Sequence, residues 1–215
     1  MAANFTLVIG NKNYSSWSLR PWLVMKYFKI PFKEILVPLY EGDYRQKILK
    51  YSPAGKVPTL ISGNVVVWDS LAICEFLSEA FPKKNLWPKE KQARAAARSI
   101  CAEMHSGFIA LRRNCPMDVR TVKPEFNVPT DTQKDADRVV SIWESCRRQF
   151  GKKGDFLFGN FTIADAFYAP VVWRFNTYGI KLSTDAKKYF DVMLQLPAMR
   201  EWQTAAKKET WVIEH

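Results

Sequence analysis

The sequence predicts an α/β domain followed by an all-helical domain. Three observations predict it. Over roughly the first eighty residues, short apolar runs alternate with a helix-period stretch and end in a hairpin signal. Residues 82–88 then form a polar stretch bounded by Pro82 and Pro88. Beyond it, apolar residues recur at spacings of three and four, and no convincing strand follows. A boundary near residue 85 gives domains over residues 1–83 and 88–215. A chain of 215 residues with 47% hydrophobic content has material for both cores.

Each element has its own signal. Phe5–Ile9 is an apolar run closed by Gly10-Asn11 and reads as a buried strand. Tyr14-Ser15-Ser16-Trp17-Ser18-Leu19-Arg20-Pro21-Trp22 opens a helix. Its serines suit the N-cap, where a side-chain oxygen accepts an otherwise unpaired N–H, and Pro21 is expected in the first turn, where no donor is lost. Leu19, Trp22, Leu23, Met25, Tyr27 and Phe28 continue at helical spacings. Phe32–Leu39 reads as a second strand and Tyr44–Tyr51 as a short polar helix. Pro58–Ser62 and Val65–Trp68 are strands joined through Gly63-Asn64, and Ser70–Phe81 is a helix. The order βαβ, linking helix, ββα suits a thioredoxin-like unit.

In the second half, Lys89–Asn114 and Asp131–Gly151 read as long helices, the first with Ile100, Met104, Phe108 and Leu111 on one face. Thr162 and Asp165, three apart, form a capping box before another helix, so both are given a structural role.

Residues 52–58 and 68–73 carry the most chemistry. Val57-Pro58 is a candidate cis peptide at the entry to a strand, because only X–Pro tolerates cis cheaply. Such a bond leaves the Val57 N–H and C=O free for a ligand. Eleven residues after Pro58, Asp69-Ser70 opens a helix with an acid and a hydroxyl, an arrangement that can hold a carboxylate.

On these residues the whole chain resembles the cytosolic glutathione transferases. The likeness is strongest to the serine-type bacterial and zeta-like branch, whose first helix opens with Ser-Ser-x-Ser ending in arginine. The resemblance implies a thioredoxin-like N-terminal domain, an all-helical C-terminal domain and a homodimer. It implies glutathione as co-substrate, attacking a small electrophile by substitution, addition or isomerisation, with no metal. Ser15 matches the catalytic serine, and Ser16 is the alternative one residue on. Val57 is expected to pair its backbone with the cysteinyl unit beside Pro58. Ser70 is expected to hold the γ-glutamyl carboxylate, Asp69 the α-amino group, and Lys56 the glycyl carboxylate. The electrophile pocket is expected between the domains, with Trp17, Met104, His105, Phe108, Arg112 and Arg113 as candidates. One departure stands out: Trp17 occupies the place of the zeta cysteine, so maleylacetoacetate isomerisation loses support. The alternative reading is a non-catalytic interaction module on the same fold.

Several classes are excluded or disfavoured. No thiol stands at the start of the first helix, which argues against exchange through the protein's own cysteine. Cys74, Cys101, Cys115 and Cys146 are scattered and make neither a metal motif nor a disulfide framework. The formal charge of +11 is spread in pairs such as Lys83/Lys84 and Arg112/Arg113, with no nucleic-acid-binding motif, so nucleic acid is not an expected partner. No apolar stretch of about eighteen residues and no signal-peptide pattern occur, so the expectation is a cytoplasmic protein that does not enter membranes. His105 and His215 are the two histidines, and a Ser–His–Asp triad is not inferred from them.

Overall fold

A computed structural model describes residues 4–213; His215 lies outside the described residues. The sheet has the order β2-β1-β3-β4. β1 (Phe5–Ile9) runs parallel to β2 (Phe32–Leu36) and antiparallel to β3 (Thr59–Ser62), which pairs with the edge strand β4 (Val65–Trp68). β1 is apolar except at Thr6, and its apolar residues are buried on both faces. Phe5, Leu7 and Ile9 join the main core, while Val8 packs with Val37 and Ile48 on the other side.

Two helices separate that sheet from the second domain's exterior. α1 (Ser16–Tyr27) buries Leu19, Trp22, Leu23, Val24 and Met25 completely. A helix apolar on most sides is a buried one, and α1 packs against both α3 (Ser70–Ala80) and α7 (Ile163–Tyr178). α7 is itself buried along most of its length. α2 (Tyr44–Leu49) covers the opposite face through Ile48. Around α7 stand α4 (Lys91–Ser106), α5 (Ile109–Asn114), α6 (Thr130–Phe150), α8 (Thr184–Gln195) and α9 (Pro197–Lys207). One continuous buried cluster runs through both halves, and Trp22 of α1 meets Trp202 of α9 edge-on at 4.9 Å.

Three expectations change. Pro21 lies inside α1, past the first turn, because Ser15 rather than a later serine is the N-cap. The helix expected over 89–114 is two helices. Gly107 caps α4, where a Cβ would sit 2.8 Å from the Glu103 carbonyl oxygen, and Phe108 follows at φ +58°. The polar stretch at 82–88 holds a 3₁₀ turn (Pro82–Lys84), and then Leu86 and Trp87 turn inward, 1% and 5% exposed. Ile163 N–H donates to the Leu86 carbonyl at 2.9 Å, so the connection is anchored in the core.

The capping box at the start of α7 is present. Asp165 Oδ2 accepts the Thr162 N–H at 2.8 Å and its hydroxyl at 3.1 Å, and Oδ1 accepts the Leu157 N–H at 3.0 Å.

Candidate active site

Ser15 sits where β1 hands over to α1. As N-cap its Oγ accepts the Ser18 N–H at 3.4 Å, and the two hydroxyls hydrogen-bond at 2.7 Å. Gly10 N–H donates to Ser18 Oγ at 3.1 Å, fixing Ser18 from the strand side. A Cβ at Gly10 would meet Leu39 Cδ1 at 2.7 Å and Ser15 Cβ at 3.2 Å, so a larger residue there would displace the Leu39 side chain. A hydroxyl both donates and accepts. Ser18 can therefore give its proton to Ser15 Oγ and leave the Ser15 O–H for a ligand. Ser15 is buried and Ser16 half-buried.

Two contiguous cavities open beside these serines. The first, about 670 Å³, is bounded by Tyr14, Ser15, Ser16 and Trp17 and, from the second domain, by Arg112, Pro116, Met117 and Arg174. The second, about 900 Å³, shares Trp17, Leu39, Tyr40 and Val57 with it. It runs past Arg45, Lys56 and Pro58 to Asp69, Ser70 and His105. The Val57–Pro58 peptide is cis, and among the described residues neither the Val57 N–H nor its C=O is hydrogen-bonded.

Asp69 and Ser70 also line the second cavity. Asp69 has φ +74°, a conformation that L residues rarely adopt and that gathers at functional sites. Its Oδ1 accepts from Leu71 N–H at 2.8 Å and Ala72 N–H at 3.4 Å, capping α3, while Oδ2 lies 3.2 Å from His105 Nε2. Ser70, the first residue of α3, is 1% exposed and accepts from Arg20 Nη1 at 3.3 Å. The Arg20 guanidinium lies between the rings of Trp17, at 4.2 Å, and Phe167, at 4.7 Å. Its Nε is buried without a partner, and no carboxylate pairs with it among the described residues. Burial, and then neighbouring Arg112, pull its pKa down to about 9, so it stays charged near neutrality. A buried cation behind a hydroxyl at a helix N-terminus favours an anion in the cavity.

Arg112 covers Trp17 at 4.7 Å and donates to the carbonyls of Met104 and His105 at 2.8 and 3.0 Å. Arg174 donates to the carbonyls of Arg112 and Cys115, and burial pushes its pKa down to about 10. Among the described residues no acid lines this first cavity.

The structure thus brings together Ser15, Ser16, Trp17, Lys56, Val57, Pro58, Asp69, Ser70, His105 and Arg112 around the two cavities. Met104, Phe108 and Arg113 line neither. Met104 and Phe108 belong to the core, and Arg113 is on the surface, 3.4 Å from Asp131. Met104 stands on α4 before the break and faces the core; beyond Gly107 the helical phase is reset, so a single helix carried through to residue 114 misplaces Phe108 and Arg113. Sequence reasoning missed Arg45 and Arg174 and gave Ser18 and Arg20 no site role, although the last two stand within the serine motif itself. All four cysteines are buried and away from the cavities. Burial raises their thiol pKa values, to about 11 for Cys115 and Cys146.

Comparison with known proteins places this geometry. The glutathione S-transferase N-terminal domain matches residues 14–80 and its C-terminal domain residues 122–203. Glutathione S-transferase Z1 of Arabidopsis thaliana is 30% identical over 204 residues, 88% of this chain and 89% of the plant protein. The chain belongs to the glutathione S-transferase family. A probable maleylacetoacetate isomerase of Caenorhabditis elegans is 29% identical over 171 residues, 78% of this chain and 77% of the nematode protein. A glutathione transferase homologue from Burkholderia, solved with bound glutathione, superimposes with a TM-score of 0.71 at 21% identity, covering 96% of this chain and 100% of that one. This transferase fold therefore presents its two cavities where the thioredoxin-like domain meets α4, α5 and α7.

Proposed function

We propose that the protein binds glutathione in the second cavity, activates it as a thiolate at Ser15, and delivers it to a small electrophile in the first. The observation that carries this is the Ser15–Ser18 hydroxyl pair at the start of α1, beside a cavity continuous with Val57, Asp69 and Ser70. The unpaired Val57 N–H and C=O take the cysteinyl backbone as an added strand would. Ser70 and the N-terminus of α3 hold the γ-glutamyl carboxylate, and Asp69 faces the ammonium beside it. Lys56 and Arg45, which line the same cavity, suit the glycyl carboxylate. These contacts place the sulfur beside Ser15, with Ser16 next to it.

The chemistry is small and well defined. Ser15 O–H donates to the sulfur and favours the thiolate, and the positive end of α1 adds to that preference. Lowering a thiol pKa by two units takes about 2.7 kcal/mol, within reach of one charge-assisted hydrogen bond plus a helix terminus. Holding thiolate and electrophile side by side supplies the remaining advantage. Addition, substitution and isomerisation all begin with that attack. Arg112 and Arg174, on a wall that carries no acid among the described residues, suit an electrophile that bears a carboxylate.

A homodimer and a cytoplasmic location go with this reading. β4 is a sheet edge that exposes Val65, Val66 and Trp68, a surface that pairing of two copies would cover. Four free buried cysteines suit a reducing compartment. Among the described residues no helix is long and apolar enough to cross a membrane.

The test is an ultraviolet titration of the glutathione thiolate on wild-type protein and on Ser15→Ala, over about pH 5 to 9. A bound thiol pKa well below the free value, restored by the substitution, supports a serine-type transferase. Binding with an unshifted pKa supports the non-catalytic module instead.

A further inference from the structure

The turn that delivers Ser15 is held by the far end of the chain. Lys12 N–H donates to Glu209 Oε1 at 2.6 Å and Asn13 N–H to Glu209 Oε2 at 3.0 Å. One carboxylate, two residues beyond α9, thus takes both backbone donors just ahead of Tyr14-Ser15. The Asn11 carbonyl in turn accepts from Ser15 N–H at 2.8 Å and Tyr14 N–H at 3.2 Å, so the peptide planes that Glu209 fixes lead directly into the N-cap. Other bonds brace the same turn. Trp202 Nε1 donates to the Lys12 carbonyl at 2.7 Å. Arg120 links the two segments, donating to the Glu209 carbonyl and, at 2.9 Å, to the Tyr14 hydroxyl.

We infer that Glu209 is a positioning residue for thiol activation: it orients the 11–15 turn so that the Ser15 hydroxyl meets the sulfur. This deepens the transferase reading and rests on Ser15 as the thiolate donor. Hydrogen-bond strength falls steeply once distance and angle are lost, so a small displacement of the turn weakens Ser15's bond disproportionately. Removing the carboxylate leaves the Lys12 and Asn13 N–H groups without their acceptor, and buried donors do not stay unpaired. The turn then relaxes. Val57, Asp69 and Ser70 stand on other elements, so the peptide of glutathione keeps its contacts.

The experiment uses the full chain with Glu209→Ala, Glu209→Gln and Ser15→Ala. S-Methylglutathione, which has no thiol to ionise, reports binding, and the ultraviolet titration reports the pKa of bound glutathione. For Glu209→Ala the expected result is a thiol pKa raised by about one unit and turnover lowered about tenfold. S-Methylglutathione affinity should stay within about twofold. Gln retains one side-chain acceptor, so Glu209→Gln should fall between Ala and wild type. S-Methylglutathione binding also shows that each variant is folded. An unchanged thiol pKa in Glu209→Ala overturns the inference, as does equal loss of S-methylglutathione affinity and turnover. If Ser15→Ala itself leaves the pKa unmoved, the assignment of Ser15 fails first and takes the positioning role with it.

Discussion

His105 Nε2, on α4 of the helical domain, lies 3.2 Å from Asp69 Oδ2 at the cap of α3, and its ring meets Trp17 edge-on at 5.1 Å. Its Nδ1 is buried without a partner. Burial lowers the His105 pKa against the pull of Asp69, which acts to raise it. The folded state therefore binds fewer protons than the unfolded one just below the usual histidine value of about 6.5. The stability His105 contributes is present above that value and is lost as pH falls below it. Urea unfolding at about pH 7.5 and 5.5 should show wild type losing more stability than His105→Gln over the interval. Asp165, pushed up to about 6 by burial, has the opposite sign but is common to both proteins. Equal losses would remove His105 from the account.

Ser15→Ala should reduce turnover about a hundredfold, the equivalent of the two-unit thiol shift, with glutathione affinity nearly unchanged. Ser18→Ala should produce a smaller loss in the same direction, because it leaves Ser15 in place but removes its hydrogen-bonding partner. Steady-state kinetics on both, with Ser16→Ala alongside, decides the donor. A larger effect from Ser16→Ala moves the role one residue along.

Ser70→Ala should weaken glutathione binding first, by on the order of 1.5–3 kcal/mol, the worth of a hydrogen bond to a charged group. Arg20 backs that hydroxyl at 3.3 Å. Calorimetric titration with glutathione measures the loss, and affinity equal to wild type would exclude Ser70 from the binding site.

Thr162→Ala removes a hydroxyl bonded to Asp165 at the start of the most buried helix. The expected cost is about 1 kcal/mol, seen as a lower urea midpoint at constant slope. An unaltered melting curve would contradict the capping role.

Much of this site is legible in the sequence because its signals are local. The Ser15 cap, the Val57-Pro58 strand entry and the Asp69-Ser70 helix start each depend on residues within a few positions of one another, and all three meet at the cavities. The wall of the first cavity was less legible. Arg112 and Arg174 are 62 positions apart and share a wall only in the folded chain, where Arg174 of α7 donates to the Arg112 carbonyl of α5. Phe108 and Arg113 lie beyond Gly107, where the helix breaks and its phase is reset, and Met104, before the break, turns into the core. Glu209 carries no local signal, since its partners stand 197 and 196 residues earlier. Arg20 was visible in the motif, but its significance depends on the missing carboxylate, which is a fact of three-dimensional surroundings.

The edge-on contact of Trp22 with Trp202, and the inward turn of Leu86 and Trp87, bear on how this protein can be rearranged. Each half carries one ring of the tryptophan pair, so a hybrid joining this thioredoxin-like half to an unrelated helical half inherits a flat apolar surface with no mate. Exchange of halves between relatives is then constrained by paired substitutions at the seam.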